Sequence, residues 1–149
     1  MRFYVDTLGF LVSDHIEMGN LYEAYRLVRR ARKHLPDDPE LEKLYGRITL
    51  PIKVVTEPPG AAVSVKGYAT PDAEWDLLGT TPLEMRAPYA AMRWRIEKDG
   101  YATFEGAPFS GQAIRSLATG FPLLRAEETP EGMVRVPSAM FEGGPHRLD

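Results

Sequence analysis

The sequence predicts an α+β protein, with an amino-terminal helical hairpin followed by a small antiparallel β-sandwich. Two patterns and one bound lead there. No proline occurs before Pro36, and Ala24, Leu27, Val28, Ala31 and Leu35 recur at three- and four-residue spacing, the period of a helix with one apolar face. From about Leu50 to Phe109 the texture changes to short alternating runs divided by glycine and proline, the mark of several short strands with turns between them. The length of 149 residues suits one ordinary domain or two small ones, which excludes a complete kinase or a barrel enzyme.

Within the helical part, Gly19-Asn20 marks a turn between two helices, and Pro36-Asp37-Asp38-Pro39 stops the second and caps a third over Glu40 to Ile48. Only Thr49-Leu50-Pro51 then separates the helices from the first strand candidate, Ile52 to Thr56. Pro58-Pro59-Gly60 is a turn, and Ala61 to Lys66 is a second strand with Ala61, Val63 and Val65 on one face. Leu83 to Arg86 is a third. Met92 to Lys98 alternates, with Met92, Trp94 and Ile96 inward and Arg93, Arg95 and Glu97 outward. Asp99-Gly100 turns the chain into a last strand or pair of strands, Tyr101 to Phe109. Ser110 to Gly120 is a short helix or an irregular crossing. Phe121 to Leu124 is weakly strand-like, and Glu127 to Glu131 reads as a solvated linker.

Composition narrows the chemistry. Hydrophobic residues make up 44% and charged residues 26%, ordinary for a globular chain and against wholesale disorder. Eighteen basic against 21 acidic side chains leave a net charge of −3, which argues against a nucleic-acid binder. No cysteine is present, so disulfides, thiolate metal sites and a cysteine nucleophile are excluded. The longest apolar run, Leu8 to Val12, is far short of the ~20 residues of a spanning helix. Asp6 breaks the apolar stretch that a signal peptide would need.

Gly19, Ala24, Ala31 and Pro36 have a spacing that resembles the second half of a tetratricopeptide unit, where small residues let paired helices approach and proline ends the second. Tyr45-Gly46 falls where a following unit would carry its large apolar residue and glycine. Val12 and His15 stand in place of the expected glycine and tyrosine, and about one and a half repeats fit. Residues 1–48 are therefore identified as a TPR-like helical hairpin.

Three motifs in order carry a second resemblance. Pro58-Pro59-Gly60-Ala61, then Gly79-Thr80-Thr81-Pro82-Leu83, then Lys98-Asp99-Gly100-Tyr101 are similar to the turn signatures of a PEGA domain. Pro59 stands where the family's name has glutamate. The resemblance covers about residues 50–109. It implies structural roles for Pro58, Gly60, Ala61, Gly79, Thr81, Pro82, Gly100 and Tyr101 in a PEGA β-sandwich over 49–110, followed by a crossing segment and linker over 111–130. From Gly132, the run Gly-Met-Val-Arg-Val-Pro and the following Phe141 and Gly144 resemble the opening strand of formylglycine-generating-enzyme-like (sulfatase-modifying-factor) domains. Residues 131–149 are read as the start of such a domain, and the chain as a piece of something longer at both ends.

Individual residues point to binding rather than catalysis. Asp72, Glu74 and Asp76 alternate as the first ligands of a calcium loop do. Leu77, however, stands where the sharp turn needs glycine, and no glutamate closes the loop. Gly106 and Gly111 have P-loop spacing, but Gln112-Ala113 replaces the lysine and hydroxyl that grip phosphates and magnesium. His15, His34 and His146 share no ligand spacing, and Ser13, Ser64, Ser110, Ser116 and Ser138 lack a nucleophile-elbow context. No catalytic, cofactor or metal site is assigned. Arg26, Arg29, Arg30 and Lys33 share one face of the second helix, which is either an acidic-partner patch or the polar side of an amphipathic helix. Trp94 belongs to the core, and loop residue Trp75 is the aromatic most open to a contact.

These resemblances imply a non-catalytic connecting and protein-interaction module of a larger bacterial signalling or cell-envelope protein. The implied parent is a serine/threonine kinase with a formylglycine-generating-enzyme-like domain. Its partners would be proteins or a cell-envelope component, and its place extracytoplasmic, with the cytoplasm as the alternative. Two other expectations stand beside it: a ligand-sensing module regulating the kinase, with a pocket at Trp75 and Tyr101, or the amino-terminal part of an enzyme whose active site lies beyond residue 149.

Overall fold

The computed structural model describes residues 9, 14, 20–88, 90–107 and 117–133. Among them the chain is α+β. Two helices, α1 (Leu21–His34) and α2 (Pro39–Ile48), precede eight strands: β1 (Thr49–Val54), β2 (Thr56–Glu57), β3 (Ala62–Gly67), β4 (Asp76–Thr80), β5 (Leu83–Pro88), β6 (Met92–Glu97), β7 (Phe104–Gly106) and β8 (Phe121–Pro122). A 3-10 turn follows at Ala126–Glu128. The chain divides into two compact units, one of Met1–Pro51 with Met85–Ala91 and one of Ile52–Glu84 with Met92–Asp149.

In the first unit, α1 carries Glu23 in its first turn and Arg32, Lys33 and His34 in its last, charges that complement the helix dipole. Asp38 caps α2, its carboxylate accepting from the backbone N–H groups of Glu40 (3.0 Å) and Leu41 (3.1 Å), and Pro39 occupies the first turn, where no N–H is needed. The helices bury Ala24, Val28 and Ala31 of α1 and Leu41, Tyr45 and Ile48 of α2. Tyr22 and Tyr25 are buried as well, while Leu27 and Leu35 are only half-buried. The apolar face is thus turned toward the tyrosines, and the Tyr25 ring stacks on Tyr45 at 6.2 Å. The helix expected before Gly19 lies outside the described residues except for Gly9 and Asp14, both helical.

The connection expected at Thr49 to Pro51 does not exist as a loop. Helix α2 ends at Ile48, and its C-cap Thr49 is already the first residue of β1. Buried Thr49 makes the joint: its hydroxyl donates to the Tyr45 carbonyl, while Arg86 donates from Nε to that hydroxyl (2.9 Å) and from Nη2 to the Thr49 carbonyl (2.8 Å).

The second unit is organised by a four-stranded antiparallel sheet in the order β4-β3-β6-β7. Alternation places Val63 opposite Ile96 and Val65 opposite Trp94, and all four are buried. Strand β4 corrects the sequence reading, which had no strand between Lys66 and Leu83 and held Gly79 to Leu83 as a turn signature. Asp76–Thr80 pairs with β3 along one side only, at a sheet edge, so its residues need not alternate in polarity. Strand β5 pairs with β1 in a separate two-stranded ladder, and β2 runs parallel to β8. Leu117, Phe121 and Leu123 of the crossing segment are buried, and this segment is tied to the unit by bonds from Val55 N–H to the Leu117 carbonyl, from Phe121 N–H to the Val55 carbonyl and from Leu123 N–H to the Glu57 carbonyl. Ile114 and the segment from residue 134, including most of the formylglycine-generating-enzyme-like motif, lie outside the described residues. No described helix is long and apolar enough to cross a membrane.

Candidate functional site

Opposite the buried side of the four-stranded sheet lies a second face built by the same alternation. Lys66 of β3 stands directly across from Arg93 of β6, Ser64 from Arg95, and Arg95 from Glu105 of β7. Two cations opposite one another are unfavourable on a bare sheet. Here each is turned to an aromatic ring supplied by the loop between β3 and β4. Lys66 Nζ and the Arg95 guanidinium each lie 4.5 Å from the centre of the Trp75 ring, and the Arg93 guanidinium lies 5.4 Å from that of Tyr68. Such contacts contribute about 0.5–1 kcal/mol each at exposed sites. The loop is held down further by Lys66 Nζ, which donates to the Pro71 carbonyl at 2.6 Å.

The face remains open. Trp75 is half-buried, Tyr68 is 47% exposed, and Leu77, which pairs with Ser64 and so shares this face, is 60% exposed. Arg95 Nε lies 3.2 Å from the Glu97 carboxylate. Beside this pair, Tyr68, Arg93, Glu105, Gly106 and Ala107 line a concavity of about 250 Å³. Arg93 Nε is buried without a hydrogen-bond partner, and among the described residues neither Arg93 nor Glu105 forms a hydrogen bond or an ion pair through its side chain.

Of the residues singled out in the sequence, Trp75 is thus central to this face. Tyr101 is not brought to it: their rings do not meet, and Tyr101 instead bridges to Arg125. The α1 cations belong to the first unit. There Arg26 pairs with Glu23 at 3.2 Å, Arg29 lies 6.0 Å from the centre of the Tyr25 ring, and Arg30 and Lys33 are exposed. Neighbouring Arg32, by contrast, binds Glu42 at 2.6 Å and lies 4.0 Å from the centre of the Tyr45 ring. Lys66, Tyr68, Arg93, Arg95 and Glu105 were not singled out. For Arg93 and Arg95 the signal was the outward half of the β6 alternation, which marks a solvated face until the aromatic loop is placed upon it; Lys66 of β3, Tyr68 of the loop and Glu105 of β7 carried no such signal.

The turn-motif residues come together through buried hydroxyls. Thr81 N–H donates to the Ala61 carbonyl (2.8 Å), and Gly60 N–H to the Thr81 carbonyl (2.9 Å). The Thr81 hydroxyl accepts from Ala61 N–H (3.0 Å) and lies 2.6 Å from the Thr56 hydroxyl, which donates to the Pro58 carbonyl (2.8 Å). A hydroxyl has one proton, so with Thr56 donating to Pro58 the shared proton must come from Thr81. The donations run from Ala61 to Thr81 to Thr56 and end on the Pro58 carbonyl. Gly60 sits at φ +91, a left-handed conformation that favours glycine, and so does Gly100 at φ +82. Both Pro58 and Pro82 follow cis peptide bonds.

Comparison with family models, with curated proteins and with solved structures returns no match.

Proposed function

We propose that this chain is a non-catalytic connecting and protein-interaction module of a larger bacterial signalling or cell-envelope protein. In this reading the helices are a TPR-like hairpin, the β-rich unit is a PEGA-like sandwich, and the parent is a serine/threonine kinase carrying a formylglycine-generating-enzyme-like domain. The observation that carries the interaction role is Trp75, half-buried between Lys66 and Arg95 on an open sheet face with Leu77 and Tyr68 exposed beside it. Aromatic rings and arginines are the side chains that dominate contact energy at protein interfaces. The tie between the Pro58-to-Ala61 turn and Thr81 supports the PEGA-like part, because it gives the two motifs one shared hydrogen-bond network.

A ligand-sensing role is the second reading, favoured by the concavity beside Arg93. Two experiments test the first. Reading the gene on both sides of this segment should reveal kinase and formylglycine-generating-enzyme-like sequences, and unrelated flanks would remove the implied parent. In the parent protein, Lys66→Glu with Arg95→Glu should abolish partner association while the melting temperature stays within a few degrees. Association unchanged by both substitutions would remove the interaction face.

A further inference from the structure

Strand β4 forms one border of the four-stranded sheet, and no described strand follows it. The bond from Thr81 N–H to the Ala61 carbonyl sets the phase of its ladder with β3. Thr81 and Gly79 turn toward β3, so the N–H and C=O of Thr80 point outward. Thr80 is exposed, and Leu77 is exposed at 60%. Edge strands that avoid pairing commonly carry proline or lysine. Asp76-Leu77-Leu78-Gly79-Thr80 carries neither, and Leu77 offers apolar surface at the rim. Leu78 is an extra residue, because Val63 faces Gly79 and Ser64 faces Leu77. Such a bulge confines regular pairing to a few residues, so the edge suits a short extended segment.

Charge decides what kind of segment. The cations of this sheet face are already engaged, Lys66 and Arg95 against the Trp75 ring and Arg93 against that of Tyr68. The loop that supplies those rings enters β4 through Asp72, Glu74 and Asp76. Asp72 and Glu74 are exposed, and neither forms an ion pair with a described residue. A strand laid along β4 therefore meets leucine along its length and carboxylates at one end. Apolar residues ending in a basic one match both. A second copy of β4 does not, since it brings its own carboxylates and no cation.

We propose that the free edge of β4 takes up a short extended segment of a partner protein, apolar along its length and basic at its end, as a fifth strand of the sheet. The proposal rests on the interaction reading of this face and names the kind of partner that it fits. The probe is the peptide Lys-Lys-Val-Thr-Val-Thr-Val-Lys-Lys, titrated into the full 149-residue chain labelled with nitrogen-15. Its controls are the same peptide with glutamate for every lysine, and the lysine peptide N-methylated at its five central residues. The lysine peptide should give saturable shifts over Leu77 to Thr80 and slow the exchange of the Thr80 amide. The glutamate peptide should bind about tenfold more weakly, because like charges then face Asp72 and Glu74. The N-methylated peptide, which cannot donate to an edge, should not bind. Thr80→Pro removes an outward N–H that no ladder bond uses and should abolish binding. Asp72→Lys with Glu74→Lys should reverse the preference between the two charged peptides. A dispersed amide spectrum shows that each variant is folded, and if one is not, the three peptides on the unaltered chain decide. Absence of shifts at Leu77 to Thr80, equal binding of the glutamate peptide, or equal binding of the N-methylated one overturns the proposal. So does self-association of the chain through β4 in sedimentation. Shifts confined to Tyr68, Trp75 and Arg93 would remove the edge and leave the face reading standing. Edge binding as expected, with partner association indifferent to Lys66→Glu and Arg95→Glu, would remove the face and leave the edge.

Discussion

Thr81→Val is the substitution that tests most closely how the turn motifs hold the β-rich unit together. Valine has nearly the shape of threonine, so the change removes a hydroxyl and leaves no hole. Two bonds go with it: the acceptor for Ala61 N–H and the donor to the Thr56 hydroxyl. Ala61 is fully buried, so its N–H is left without a partner, at a cost of about 1–3 kcal/mol. Thr56 keeps its own bond to the Pro58 carbonyl and loses only an incoming donor, an effect of about 0.5–1.5 kcal/mol at most. The expected total is therefore about 2–3 kcal/mol, set mainly by the orphaned amide. Thr56→Val should cost less, because Pro58 is only half-buried and water can reach its carbonyl. The double variant should fall short of the sum of the two by about 0.5 kcal/mol or more, the signature of residues sharing one network. Urea unfolding followed by tryptophan fluorescence is the assay. Both tryptophans, Trp75 and Trp94, belong to the second unit, so the signal reports that unit and not the helices. A Thr81→Val midpoint corresponding to less than about 0.5 kcal/mol, the range of ordinary surface changes, would refute the reasoning.

Further outcomes follow from the same structure. Trp94→Ala, at 2% exposure opposite Val65, should cost about 3–5 kcal/mol and unfold the second unit, while cooperative melting within a degree or two of the parent would show that the ring does not carry the core. Asp38→Ala removes the α2 cap and should lower stability by about 0.5–2 kcal/mol, read as loss of helical circular dichroism at a lower temperature; an unchanged transition would mean that the two cap bonds contribute nothing. The purified chain should turn over no ATP, and reproducible turnover abolished by changing one of its own residues would contradict the non-catalytic reading.

The sequence makes the helices and the central strands legible because each buries one face against a partner of its own period. Ala24, Val28 and Ala31 repeat at helical spacing, and Met92, Trp94 and Ile96 alternate, and all six are buried. Strand β4 is hidden because an edge strand carries half the pairing and little burial, so Asp76-Leu77-Leu78-Gly79-Thr80 resembles a loop. The pairing of β5 with β1 is hidden for a different reason: alternation tells which residues face inward, not which strand is the neighbour. Trp75 could be singled out as an aromatic in a loop. Its companions could not, because Lys66, Arg93 and Arg95 look like any outward row of charges until the chain folds a tryptophan between them.

If the open sheet face of the second unit is where this protein meets its partner, photo-crosslinking from that face will capture the partner. A benzophenone amino acid placed at Leu77, on that face, is compared in the native host with the same probe at Glu42 on α2, which is exposed but belongs to the other unit. One discrete adduct is expected from position 77 that disappears when Trp75→Ala is added, and none from position 42. Equal labelling from both positions, or an adduct at 77 indifferent to Trp75, would contradict it.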